Sequence, residues 1–123
     1  SKATNINSVI VAINTYDRPI ILILGGFNKG ANFRLLLPHI KSSHVRDIVS
    51  YGDAGGQINT ALGDAVRSVQ VTDLSSAVKK AQLMAAPGDI VLLSPGCASY
   101  DEFSNFEERG NHFKSMIKNI AIS

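Results

Sequence analysis

Five consecutive branched aliphatic residues, Ile20-Ile21-Leu22-Ile23-Leu24, lie between Pro19 and the pair Gly25-Gly26. Successive side chains of a strand point to opposite sides of its sheet, so a run that is apolar at every position predicts a strand covered on both faces. A second such run, Asp89-Ile90-Val91-Leu92-Leu93, follows the turn signal Pro87-Gly88 and closes at Ser94-Pro95-Gly96. Strands of this kind need helices on each side of the sheet, which already excludes most folds.

The rest of the chain supplies helices at the right intervals. Residues 4–16 place Ile6, Val9, Ile10 and Ile13 at helical spacing, with Thr4 or Asn5 available to cap exposed N–H groups. A helix is predicted over residues 33–41, with Pro38 inside it working against its far end. Residues 45–51 read as strand, 56–62 as helix, 68–71 as strand and 74–86 as helix, the last with Asp73 as its N-cap. Two final helices are predicted over residues 101–109 and 111–120, separated by Gly110 at a helix end. This alternation predicts a three-layer α/β domain of Rossmann-like type, with a mostly parallel sheet and helices on both faces.

A chain of 123 residues that is 45% hydrophobic has the size and apolar content of one domain with a real core. Its 12 basic and 10 acidic residues give a net charge of +2 with no run of like charge, so neither nucleic acid nor a membrane surface is expected as a partner. The longest apolar stretch, residues 19–24, falls far short of the roughly 20 residues of a membrane-spanning helix, and no charged-then-apolar leader opens the chain. A soluble, cytoplasmic protein is expected. The single cysteine, Cys97, cannot form an internal disulfide or a thiolate cluster, which suits a reducing compartment. The chain opens on Ser1 and its first methionine is Met84, so a fragment or a processed product is expected.

Ligands of open parallel sheets bind beyond the carboxyl ends of the strands. Two segments fall there: Gly25-Gly26-Phe27-Asn28-Lys29-Gly30 and Ser94-Pro95-Gly96-Cys97-Ala98-Ser99-Tyr100-Asp101. The first joins a flexible backbone to a cation, as an anionic ligand requires, and equally suits a tight turn with a solvated lysine. It is not a P-loop, because Lys29 precedes Gly30 and Ala31 follows, and the dinucleotide fingerprint G-x-G-x-x-G is absent. The second sets the Ser99 hydroxyl just before a predicted helix. A carboxylate there gains roughly 0.3–1 kcal/mol from the helix dipole, and Ser99 could equally cap the helix alone. Cys97 reads as packing rather than nucleophile, since His39, His44 and His112 form no nucleophile–base signature and lack metal-ligand spacing. Glu107-Glu108-Arg109 reads as a solvated helix end, and Met84 and Met116 suit core positions.

Three blocks, in order across nearly the whole chain, resemble one family. Ser1-Lys2-Ala3-Thr4-Asn5 resembles the S-K-A-T-N motif of the D-glutamate-adding Mur ligases, found where their central ATPase domain meets the C-terminal domain. Residues 25–33, G-G-F-N-K-G-A-N-F, are similar to the family's G-G-x-D-K-G-x-D-F. Residues 94–110 resemble its S-P-A-C-A-S-x-D-x-F block with the following F-x-x-R-G. The resemblance implies a part of peptidoglycan precursor synthesis: ATP phosphorylates the carboxylate of UDP-N-acetylmuramoyl-L-alanine, and the amine of D-glutamate attacks the acyl phosphate. It implies that ATP and Mg2+ are held mainly by a central domain and the sugar nucleotide by an N-terminal one, both outside this chain, while the C-terminal domain binds D-glutamate and closes over ATP. An isolated fragment is then expected to be inactive, and a monomer.

Carried over by position, the resemblance gives Thr4 and Lys29 the α-carboxylate of D-glutamate. It gives Ser99, with backbone groups near Tyr100 and Phe106, the side-chain carboxylate. Lys2 becomes an electrostatic partner near the transferred phosphate or the carboxylates, the one residue with a catalytic role. Two anion sites suit a dicarboxylate, each charge-assisted hydrogen bond contributing roughly 1.5–3 kcal/mol. Asn28 and Asn32 depart from the pattern by standing where the family has aspartates, removing two negative charges around Lys29. Gly96 and Tyr100 are milder departures. The alternatives are a sibling Mur ligase or folylpolyglutamate synthetase domain, and a stand-alone Rossmann-like binding module.

Overall fold

The computed structural model describes residues 6–25, 31–93 and 121–122. Its elements follow in the order α1 (Ile6–Ile13), β1 (Ile20–Gly25), a 3-10 turn (Phe33–Leu36), α2 (Leu37–Ser42), β2 (Val45–Tyr51), α3 (Gly55–Leu62), β3 (Arg67–Gln70), α4 (Leu74–Met84), β4 (Ile90–Leu93) and β5 (Ala121–Ile122). The strands form one sheet in the order β3-β2-β1-β4-β5, with every neighbouring pair parallel. This is the expected Rossmann-like α/β arrangement.

All six residues of β1 are buried, as its unbroken apolar run requires of the central strand. Ile20, Leu22 and Leu24 join a core under α1, α2 and α3 that also holds Val9, Ile13, Phe33, Leu36, Ile58 and Leu62. Ile21 and Ile23 join the opposite core under α4, with Val49, Leu74, Ala77, Val78 and Leu93. The change of face has a topological cause. The chain steps from β1 to β2 to β3 in one direction, then returns across β1 to reach β4. Parallel crossovers keep one hand, so the returning helix must lie on the other side of the sheet.

β2 departs from simple alternation, since Val45 and Ile48 both face the α1–α3 core although they are an odd number of residues apart. The register supplies the reason: Ile20 pairs with Val45 but Ile21 pairs with Asp47, so Arg46 is an extra residue in the ladder. An inserted residue reverses the facing of everything on one side of it.

Element ends differ from the sequence-based expectations by local hydrogen bonding. α1 stops at Ile13 rather than running to Tyr16, where the Asn14 side-chain amide donates to the Ile10 carbonyl at 2.9 Å and the Thr15 hydroxyl to the Val11 carbonyl at 2.8 Å. Side chains that take up these carbonyls compete with helix continuation. The helix predicted over 33–41 is split: a 3-10 turn comes first, and Pro38 lies in the first turn of α2, where a missing N–H costs no bond. α4 ends at Met84, two residues short of prediction: Ala85 is extended, and the Ala86 N–H donates to the Asp89 carboxylate at 2.8 Å instead of continuing the helix. Gly88, at φ +91°, then makes the predicted turn. β5 was not anticipated, and the helices predicted over 101–109 and 111–120 lie outside the described residues. Among the described residues no helix is long and apolar enough to cross a membrane.

Candidate functional site

β1 leads to β2 on one side and has β4 on the other, so the strand order reverses between β1 and β4. At such a switch point the connections from two adjacent strands leave toward opposite faces and open a crevice at their carboxyl ends. Ile23 pairs with Leu93 at this end of the sheet, and Gly25 stands two residues farther along β1. The chain continues from these two strand ends into residues 26–30 and 94–101, the two segments that the sequence singles out. Separated by more than sixty residues in sequence, they start from neighbouring strands.

The end of β1 is closely packed. Gly25 pairs with Tyr51, the last residue of β2, whose ring belongs to the α4-side core and is fully buried. A Cβ on residue 25 would lie 2.5 Å from Cδ1 and 2.6 Å from Cε1 of that ring and would also meet the Tyr51 carbonyl oxygen. Any side chain larger than hydrogen is excluded there. On the far side of residues 26–30, the Gln57 amide of α3 donates to the Ala31 carbonyl at 3.4 Å. Asn32 then accepts from the Arg34 N–H at 3.2 Å and caps the 3-10 turn. A cleft of about 280 Å³ formed by this turn and α3 is lined by Asn32, Phe33, Arg34, Gln57, Thr60 and Ala61.

The described residues at these strand ends, Gly25, Tyr51, Gln70 and Leu93, carry no charge. Charge gathers at the other end of the sheet. Asp47, 2% exposed, accepts from Nε of Arg46 and Nε of Arg67, both at 2.8 Å. Arg46 also donates to Asp89 at 2.7 Å and to the Met84 carbonyl at 2.9 Å. Burial alone would push the Asp47 carboxyl up. The hydrogen bonds and charges of Arg67 and Arg46 outweigh it and hold the group below its ordinary value. The Arg46 guanidinium is correspondingly raised, first by its hydrogen bond to Asp47. This network ties the beginnings of β2, β3 and β4 together and is structural.

A family model described as Mur ligase, glutamate ligase domain, matches residues 1–97. The chain belongs to the Mur ligase family. It is 45% identical over 117 residues to the UDP-N-acetylmuramoylalanine--D-glutamate ligase of Chlamydia caviae, covering 95% of this chain and 28% of that relative. The ligase of the same name from Clostridioides difficile is 45% identical over 122 residues, 98% of this chain and 27% of the relative. That from Salinibacter ruber is 40% identical over 121 residues, 98% of this chain and 26% of the relative. The chain thus spans about a quarter of the length of the curated relatives it matches.

Membership of the Mur ligase family gives the departures from its motif a structural context. Asn32, one of the two asparagines at which the resemblance expects aspartate, caps the 3-10 turn with its side-chain oxygen, a task asparagine and aspartate perform about equally. The residues expected to hold ligand, Lys2, Thr4, Lys29, Ser99, Tyr100 and Phe106, lie outside the described residues, as does Asn28. Sequence reasoning missed Tyr51 as a neighbour of this site. Its signal was faint: an aromatic residue closing a strand, whose pairing with Gly25 is set only by the sheet.

Proposed function

We propose that this chain is the C-terminal, amino-acid-binding domain of an ATP-dependent ligase that joins D-glutamate to UDP-N-acetylmuramoyl-L-alanine in peptidoglycan precursor synthesis. UDP-binding and ATPase domains precede it in the full-length enzyme, which acts as a cytoplasmic monomer. The observation that carries this reading is the adjacency of β1 and β4 at the switch point, since the two segments suited to bind carboxylates start from these neighbouring strand ends. Likeness to relatives named as D-glutamate ligases supports the choice of amino acid.

Thr4 and Lys29 bind the α-carboxylate, and Ser99, with backbone groups near Tyr100 and Phe106, binds the side-chain carboxylate. Lys2 offsets negative charge where phosphate is transferred. Holding both carboxylates fixes the direction of the amine, so the domain's contribution is orientation of the nucleophile. Among the described residues no group of three or more His, Cys, Asp or Glu side chains could hold a metal ion. ATP and Mg2+ are assigned mainly to the central domain outside this chain.

The test is an NMR titration of the chain with D-glutamate, against L-glutamate and meso-diaminopimelate. A dissociation constant in the millimolar range, about −4 kcal/mol, is expected of a site lacking its partner domains. D-glutamate should shift the amides of Lys29, Ser99 and Phe106, and Lys29→Ala should abolish the response. A response to meso-diaminopimelate instead would assign the domain to a sibling ligase. Silence toward D-glutamate, joined to full activity of a full-length Lys29→Ala ligase, would overturn the site.

A further inference from the structure

We propose that Tyr51 is a positioning residue for the anion site: with Gly25 it fixes the carboxyl end of β1 at the switch point, and through that end the departure of the segment that carries Lys29. The proposal rests on the reading of Lys29 as a carboxylate ligand given above.

Three observations carry it. Tyr51 is the largest fully buried side chain among the described residues, yet it stands at the last position of its strand rather than mid-element. Its ring occupies the space that a side chain on residue 25 would need, 2.5 Å from the Cβ position, so ring and glycine backbone are in direct contact. Tyr51 also shares its core cluster with Leu93, the last residue of β4, and with Leu74, Ala77 and Val78 of α4. One rigid aromatic ring thus braces the end of β1 from the α4 side, in a cluster that also holds the end of β4. Lys29 follows Gly25 by four residues, so its segment leaves the sheet from the strand end that Tyr51 braces.

A residue that only filled the core would act through stability. A positioning residue acts on geometry while the fold persists, and the experiment separates the two. Amide chemical shifts of residues 26–30 are recorded without ligand, followed by D-glutamate affinity, in the wild-type chain and in Tyr51→Leu, Tyr51→Phe and Val78→Ala, at a temperature where each spectrum stays dispersed. Tyr51→Leu is expected to move the 26–30 amides and weaken D-glutamate binding about tenfold or more, because misplacing a binding group by an ångström has effects of that order. Tyr51→Phe keeps the ring and should restore both readings. Val78→Ala, in the same core, should lower the denaturation midpoint and leave both unchanged. Should Tyr51→Leu fail to fold, Tyr51→Met removes the ring with an unbranched, flexible side chain that adapts better to the vacated space.

Wild-type shifts and affinity in Tyr51→Leu, or a Val78→Ala variant that reproduces its effects, would overturn the proposal. If the wild-type chain does not bind D-glutamate, the substrate reading passes to the full-length Lys29→Ala assay, while the ligand-free shifts still decide whether Tyr51 sets the segment.

Discussion

Two carboxylates are held ionised by different means. Asp73 caps α4 by accepting from the Ser76 N–H at 2.8 Å, and that hydrogen bond is the main cause of its lowered pKa. Asp47 is buried and depends on two arginines from different strands. The first arrangement was legible in the sequence, because a cap and its partner lie within one turn of each other. The second was not, because Arg67 reaches Asp47 only when β2 and β3 pair. Asp73→Ala removes the cap acceptor and is expected to lower stability by about 1 kcal/mol, within the 0.5–2 kcal/mol usual for such changes. The measurement is the urea midpoint, with Asp73→Asn retaining most of the wild-type value.

At the scale of elements, burial follows the length and continuity of apolar runs. β1 was read correctly because every position is apolar, whereas the inserted Arg46 in β2 looks like ordinary sequence and acquires its meaning only from the register with β1. The 3-10 turn ahead of Pro38 was missed for a related reason: a proline within a helical pattern marks a boundary but does not say which side holds the regular helix. Leu22 pairs with Ile48 on one side and Leu92 on the other and is fully buried. Leu22→Ala is expected to cost about 2–5 kcal/mol by opening a cavity in the central strand. Leu83, 84% exposed on α4, is the control, and its change to alanine should stay within about 0.5 kcal/mol. Chemical denaturation of both variants checks the contrast.

The whole molecule separates its tasks along the strands. Charged side chains lock the amino ends through Arg46, Asp47, Arg67 and Asp89, and the carboxyl ends are left to the candidate site. A pH dependence follows. Asp47 and Asp73 both titrate below their ordinary values when folded, so near the carboxylate range the native chain binds fewer protons than the unfolded one. Their contribution is complete above the unfolded value of about 3.9 and is lost as pH falls through the folded values. Urea midpoints should therefore hold steady from neutral to mildly acidic pH and drop below about pH 4, and Asp47→Asn should flatten that drop. The sequence by itself determined the strands that are buried, most helix positions, the parallel α/β class and the two segments that follow β1 and β4, because each depends on residues close together in the chain. Only the tertiary structure decided that β1 and β4 are neighbours, that Tyr51 lies against Gly25 and that Arg46 and Arg67 converge on Asp47. Those are contacts between distant segments, and strand order, not local propensity, brings them together.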